Sequence, residues 1–112
     1  MYSKELLKGT LSTIILNLLA EKERMYGYEI FQRVKELSKD KILLKDGSLY
    51  PALQKMHKDG LLSYKEEYIG KRVRKYYFLT PEGKKKKVEY LAELKDFIAT
   101  LNDLVFLELK TS

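Results

Sequence analysis

Apolar residues Leu7, Leu11, Ile14, Ile15, Leu18 and Leu19 recur at steps of three and four, the period of one helix face. Gly9 and Thr10 leave the first turn of that helix open. The string Glu21-Lys22-Glu23-Arg24 breaks the pattern and reads as a polar connection. Met25-Tyr26-Gly27-Tyr28 then leads into a second helix whose inward face is Ile30, Phe31, Val34 and Leu37. Gly27 suits its cap, because a residue without a side chain leaves the first backbone N–H groups open. Residues 38–41 are polar and end this helix. Ile42-Leu43-Leu44 is too short for a helix and reads as a single bridging strand, followed by the turn cluster Asp46-Gly47-Ser48. A third helix is expected over 49–59, with Leu49, Leu53 and Met56 inward and Gly60 ending it. Ser48 is its expected cap. Pro51 has no N–H, and the first turn is where that donor has no helical partner anyway.

After Leu61 the period changes. Residues 62–69 and 73–79 are rich in tyrosine and β-branched side chains and flank Gly70-Lys71-Arg72, which predicts a β-hairpin with a short, basic tip. Thr80-Pro81-Glu82 is a helix start: a capping hydroxyl, a proline at the first helical position and an acid in the first turn. The last helix is expected over 81–109. Leu91, Leu94, Ile98, Leu101 and Val105 form one stripe along it, and Tyr90, Leu94, Phe97, Leu101 and Leu104 a second. So broad an apolar band exceeds what a terminal helix buries against a small domain, which predicts a partner helix, most simply from a second copy. Its interface residues are Leu91, Leu94, Phe97, Ile98, Leu101, Leu104 and Val105.

The fold class is mainly α with a small β-hairpin: a winged helix-turn-helix over 1–80 and a long dimerisation helix over 81–112, one compact body overall. A chain of 112 residues has room for one core, and 45% apolar content is enough to build it. The longest apolar run, 11–20, is too short to cross a membrane and no cleavage site follows it, so the expected location is the cytoplasm. Absence of cysteine excludes disulfides and thiolate metal sites. The single histidine, His57, has no second ligand or triad partner in the sequence, so neither a metal centre nor an enzyme is expected. A net charge of +6 suits an anionic partner.

Gly27-Tyr28-Glu29-Ile30, the block Gly47-Ser48-Leu49-Tyr50-Pro51-Ala52-Leu53, Gly60-Leu61, and Tyr77-Phe78-Leu79-Thr80 with Gly83 resemble, in order and spacing, the PadR family of bacterial regulators. The resemblance spans about residues 6–83, and the Gly-x-Leu-Tyr-Pro-Ala-Leu block is its most specific part. It implies a dimeric winged helix binding operator DNA, usually as a repressor, in some members released by a phenolic acid, a drug or another small molecule. The short C-terminal part fits the branch with a single dimerisation helix. The run Lys84 to Lys87 carries no motif of the family.

On this reading the third helix is the recognition element, with Ser48 and Tyr50 in its first turn and Gln54, Lys55 and Lys58 along its polar side. Glutamine pairs with adenine, lysine with guanine or phosphate, and tyrosine with phosphate. A solvated face is the plainer alternative, against which stand the hairpin and the Tyr-Pro block. Lys71, Arg72 and Arg74, with Lys75 nearby, give the hairpin tip a cationic end for the DNA backbone or minor groove, although Glu66 and Glu67 weaken its field. Tyr26 and Gly27 open a helix whose dipole end suits a phosphate, and Lys4 and Lys8 are further phosphate candidates. Cations at Lys84 to Lys87 oppose the helix dipole, which suggests phosphate or an acidic partner, with a solvated face the plainer reading. Tyr90 and Phe97 suggest a dimer cavity for a planar hydrophobic inducer. The chain has no tryptophan to stack on one, and a packed dimer core explains the same residues. The expected function is a ligand-responsive repressor binding a near-palindromic operator in duplex DNA as a homodimer. The alternatives are a winged-helix protein-interaction module without DNA affinity and, more remotely, an RNA binder.

Overall fold

The computed structural model describes residues 2–106. Its elements in chain order are α1 (Lys4–Lys8), α2 (Leu11–Glu21), α3 (Gly27–Leu37), α4 (Asp46–Lys58), β1 (Leu62–Ile69), β2 (Arg72–Leu79) and α5 (Pro81–Val105). The first apolar run is thus split into two helices, with Gly9 as the C-cap of α1 and Thr10 as the N-cap of α2.

The core is built around α2. Ile15, Leu16, Leu18 and Leu19 are almost inaccessible, α3 adds Ile30 and Val34, and α4 adds Leu49, Leu53 and Met56. Leu61, Leu62, Tyr77 and Leu79 close it from the base of the hairpin, with Met25 from the α2–α3 connection. Burying such side chains supplies roughly 1.5–3 kcal/mol each, so this shared cluster is what holds the three helices and the hairpin together. Leu37, expected inward, is exposed instead. It ends α3, after which the chain reverses through Lys39 and Asp40, both at positive φ (52° and 66°).

Residues 42–44 do not form the expected bridging strand. Ile42 and Leu44 pack partly buried against the core, and Ser38 Oγ accepts the Ile42 N–H at 2.9 Å. The strand edge is bridged by Met25: its N–H donates to the Tyr77 carbonyl (3.0 Å), and its carbonyl accepts the Tyr77 N–H in return (2.8 Å). The connection between α2 and α3, rather than the segment before α4, therefore stitches the hairpin to the helices.

Ser48 is not the cap of the third helix. α4 starts at Asp46, with Lys45 as N-cap; the Lys45 carbonyl accepts from Ser48 (2.9 Å) and Leu49 (2.8 Å). Pro51 consequently lies in the second turn, where it withholds a donor from the Gly47 carbonyl four residues back. Gly47 is exposed, so water can satisfy that carbonyl, and packing of Leu49, Leu53 and Met56 keeps the axis.

β1 and β2 pair antiparallel from Leu62↔Leu79 to Ile69↔Arg72, which places Arg72 in the strand and leaves Gly70-Lys71 as the turn. Gly70 has φ +64° while Lys71 does not, the arrangement of a II′ turn matching the twist of the strands. Thr80 caps α5 as expected, its Oγ1 accepting the Gly83 N–H at 3.0 Å. The start of α5 is pressed onto the β1 entrance, with Gly83 buried against the Leu61 carbonyl. Farther along, Tyr90 packs on the chain's own core, Leu91 and Leu94 are half-buried, and Phe97, Ile98, Leu101, Leu104 and Val105 are exposed. Of the helix expected over 81–109, the part beyond Phe106 lies outside the described residues.

Candidate nucleic-acid interface

Burial of Leu49, Leu53 and Met56 fixes which side of α4 faces out. At 100° per residue, Gly47, Pro51, Gln54 and Lys58 lie opposite the buried stripe, Ser48 and Lys55 flank them on one side, and Tyr50 and His57 on the other. All of these are exposed. Lys55 reaches the end of its own helix, where its Nζ lies 3.0 Å from Asp59 Oδ2, an exposed pair that a stronger anion can replace. His57 stacks 5.0 Å from Tyr64, joining α4 to the inner face of the hairpin. Tyr50 leans over α3: a Cβ on Gly27 would lie 2.7 Å from Tyr50 Oη. Two of the segments that carry the PadR resemblance therefore meet here, and Gly27 is a glycine because the Tyr50 ring occupies the space of a side chain.

At the hairpin tip Lys71 and Arg72 are exposed, as are Tyr68 (78%), Ile69 and Val73. Nothing in the sequence marks this apolar surround of the cations, because period-two strands make such residues look like ordinary strand formers. Arg74 is elsewhere. Its guanidinium lies 4.3 Å from the centroid of Tyr26, half-buried, and a hydrogen bond with the Tyr76 side chain helps raise its pKa further. Lys75 is on the other face, 4.7 Å over Tyr64.

The N-terminus of α3 is also less open than its sequence suggests. Glu29 Oε1 accepts the Tyr26 N–H at 3.2 Å, and Glu29 Oε2 receives Lys22 Nζ at 2.6 Å. The Glu29 carboxylate thus takes the Tyr26 N–H, one of the donors at the helix start read for a phosphate at Tyr26 and Gly27. Arg24, part of a polar connection by its sequence, pairs with Glu67 of β1 and lies 4.2 Å over Tyr76. That contact spans 43 residues of chain and has no local signature.

Lys4 and Lys8 are exposed on the five-residue α1. In the lysine run, Lys84 and Lys85 are exposed, and Lys86 pairs with Glu89 at 3.2 Å, a partner that raises its pKa. Among the described residues no three acidic, histidine or cysteine side chains are grouped to hold a metal ion, and no helix is long and apolar enough to cross a membrane.

Known proteins share this arrangement. A transcriptional regulator of Clostridium thermocellum superposes with a TM-score of 0.85 at 29% identity, covering 91% of this chain and 99% of that one. A PadR-like transcriptional regulator of Bacillus cereus superposes with a TM-score of 0.75 at 27% identity, covering 91% and 97%. A protein of Lysinibacillus sphaericus is 32% identical over 106 residues, 94% of this chain and 93% of its own. The sequence pattern of the PadR-like transcriptional regulators matches residues 15–89, two-thirds of the chain, from within α2 through the hairpin into the first turns of α5. On that match, and on the helical fold with its antiparallel hairpin and long terminal helix, the chain belongs to the PadR-like family of transcriptional regulators.

Proposed function

We propose that the chain is a homodimeric, ligand-responsive repressor that binds a near-palindromic DNA site in the cytoplasm. One observation carries the reading: α4 buries one face completely and offers on the other an exposed row of hydrogen-bonding and cationic side chains, Ser48, Gln54, Lys55 and Lys58, in a chain of this family. α4 enters the major groove, where Gln54 and the lysines reach base edges or phosphates. Lys71 and Arg72 hold the backbone beside it, and Tyr68 and Val73 lie against sugars.

Pairing is supported by α5. Five large apolar residues from Phe97 to Val105 stand exposed on a helix whose first half is already packed, a surface that water does not favour. Two copies joined there set two α4 helices about 34 Å apart, one turn of B-DNA. A planar hydrophobic effector entering between the paired helices would change that spacing and release the DNA.

The test is a salt titration of binding to duplex fragments selected from the source genome. Affinity should fall steeply between about 50 and 200 mM salt, with a log–log slope of roughly 0.9 per phosphate neutralised. Lys55→Ala and Lys58→Ala should each weaken binding. No binding in dilute buffer, or binding indifferent to salt, refutes the proposal.

A further inference from the structure

Two-stranded hairpins are marginal on their own, and here only the base is anchored in the core, through Leu62, Tyr77 and Leu79. The outer half needs another support if its tip is to stay at one distance from α4. Along its outer face runs an alternating stack of cations and rings: Arg24 over Tyr76 (4.2 Å), Tyr76 edge-on to Tyr26 (5.4 Å, 72°), and Arg74 over Tyr26 (4.3 Å). Each contact lies within the range in which ring quadrupoles attract cations or ring edges. The Arg24–Glu67 ion pair ties the same arginine to β1, opposite Arg74 in the register. Between Arg24 and Tyr26, the Met25–Tyr77 backbone pair fixes the connection to β2, and after Tyr26, Gly27 is covered by Tyr50 of α4. Residues 24–27 thus touch both the hairpin and the reading helix.

We infer that Arg24 and Tyr26 are positioning residues: they set the angle of the hairpin to α4 and thereby govern duplex affinity without touching nucleic acid. This rests on the DNA-binding role proposed above. Lever length gives the effect its size. From Tyr76 to the tip at Lys71 is five residues, roughly 17 Å of strand, so a tilt of about 10° moves the tip by about 3 Å, enough to lose a hydrogen bond while the tip cations stay within the roughly 8–10 Å over which they still displace counterions. The inference also assigns Tyr26 and Arg74 a different task from phosphate contact, since each spends its charge or ring on the other.

Measuring duplex affinity of the full chain against salt, by fluorescence anisotropy, separates these roles. Arg24→Gln should bind roughly tenfold more weakly at every salt concentration with an unchanged slope, whereas Arg72→Gln, at the tip, should lower the slope by about 0.9. Glu67→Gln is the sharper arm. Deleting a negative charge from the hairpin tightens DNA binding if electrostatics alone act, but weakens it if Glu67 holds Arg24 in place; weakening is expected. Tyr26→Leu should weaken binding while Tyr26→Phe, which keeps the ring and loses the hydroxyl, restores it. Faster amide exchange over 63–76 in Arg24→Gln, without DNA and with unchanged exchange in α2, accompanies these results. Wild-type affinity in Arg24→Gln, tighter binding by Glu67→Gln, or a slope reduced by one in Arg24→Gln overturns the inference. Absence of salt-sensitive binding by the wild-type chain overturns the DNA-binding role instead.

Discussion

Replacing Gly83 by alanine sets helix propensity against a backbone contact. Within a helix alanine is favoured over glycine by up to about 1 kcal/mol. Here, however, a Cβ would fall inside contact distance of the Leu61 carbonyl oxygen, 3.0 Å from its carbon and 3.4 Å from Leu79 Cδ2. Backbone is the obstacle, so no rotamer change relieves it, and α5 has to move away by about 1.5 Å to restore ordinary contact. That movement strains the Thr80 joint, where the Thr80 N–H donates to the Leu61 carbonyl (3.1 Å) and the Thr80 hydroxyl to the Gly60 carbonyl (2.6 Å). Each such bond contributes about 1 kcal/mol, and overpacking costs about 1–3 kcal/mol. Subtracting the propensity gain leaves a net loss of roughly 2–4 kcal/mol, a fall in Tm of about 10–20 °C for a domain near this size. Thermal melting followed by circular dichroism reads it directly. Gly47→Ala is the comparator: nothing lies within 4 Å of its added Cβ, so stability should hold or rise by up to about 1 kcal/mol. A Gly83→Ala chain melting at or above the wild type would refute the reasoning.

Gly27→Ala pushes on the Tyr50 ring, a side chain that can yield, so it should cost at most about 1–2 kcal/mol in denaturant titration while weakening duplex binding through displaced Tyr50. Leu101→Glu with Phe97→Glu, both exposed in the single chain, should leave Tm nearly unchanged in dilute protein but abolish self-association in sedimentation. Burial raises the pKa of the Tyr77 phenol, reinforced by the neighbouring Tyr64 and Tyr50. The folded chain therefore holds that proton more tightly than the unfolded chain, which titrates near about 10. The stabilisation is complete below that value and is lost as pH rises through the folded pKa, so the melting temperature should drop more steeply above about pH 10 in the wild type than in Tyr77→Phe.

Much of the fold was legible locally. Leu49, Leu53 and Met56 at helical spacing marked the buried face of α4, and Thr80-Pro81-Glu82 marked the start of α5, because caps and periodicity are short-range physics. Pro51 argues for a helix over 49–59 capped by Ser48, yet α4 begins at Asp46, because an exposed Gly47 carbonyl tolerates a missing donor when three buried residues hold the axis. The apolar composition of 42–44 predicts the bridging strand there, while the bridge to Tyr77 is made by Met25.

The candidate site divides in the same way. Outward residues of α4 and the tip cations Lys71 and Arg72 follow from period and turn chemistry. The environment of Arg74, the carboxylate of Glu29 at the start of α3, and the Arg24–Glu67 pair do not, since they depend on contacts between elements.

The chain alone determined its elements, its buried faces, its basic balance and, through the Gly-Ser-Leu-Tyr-Pro-Ala-Leu block, its family. Tertiary structure decided which cations meet rings, which glycine lies under Tyr50 and which against Leu61, and which half of α5 is left uncovered. The physical reason is range. Hydrophobic period, capping and turn preference act over about four residues along the chain, whereas stacking, ion pairing and close backbone approach act through space between residues tens of positions apart.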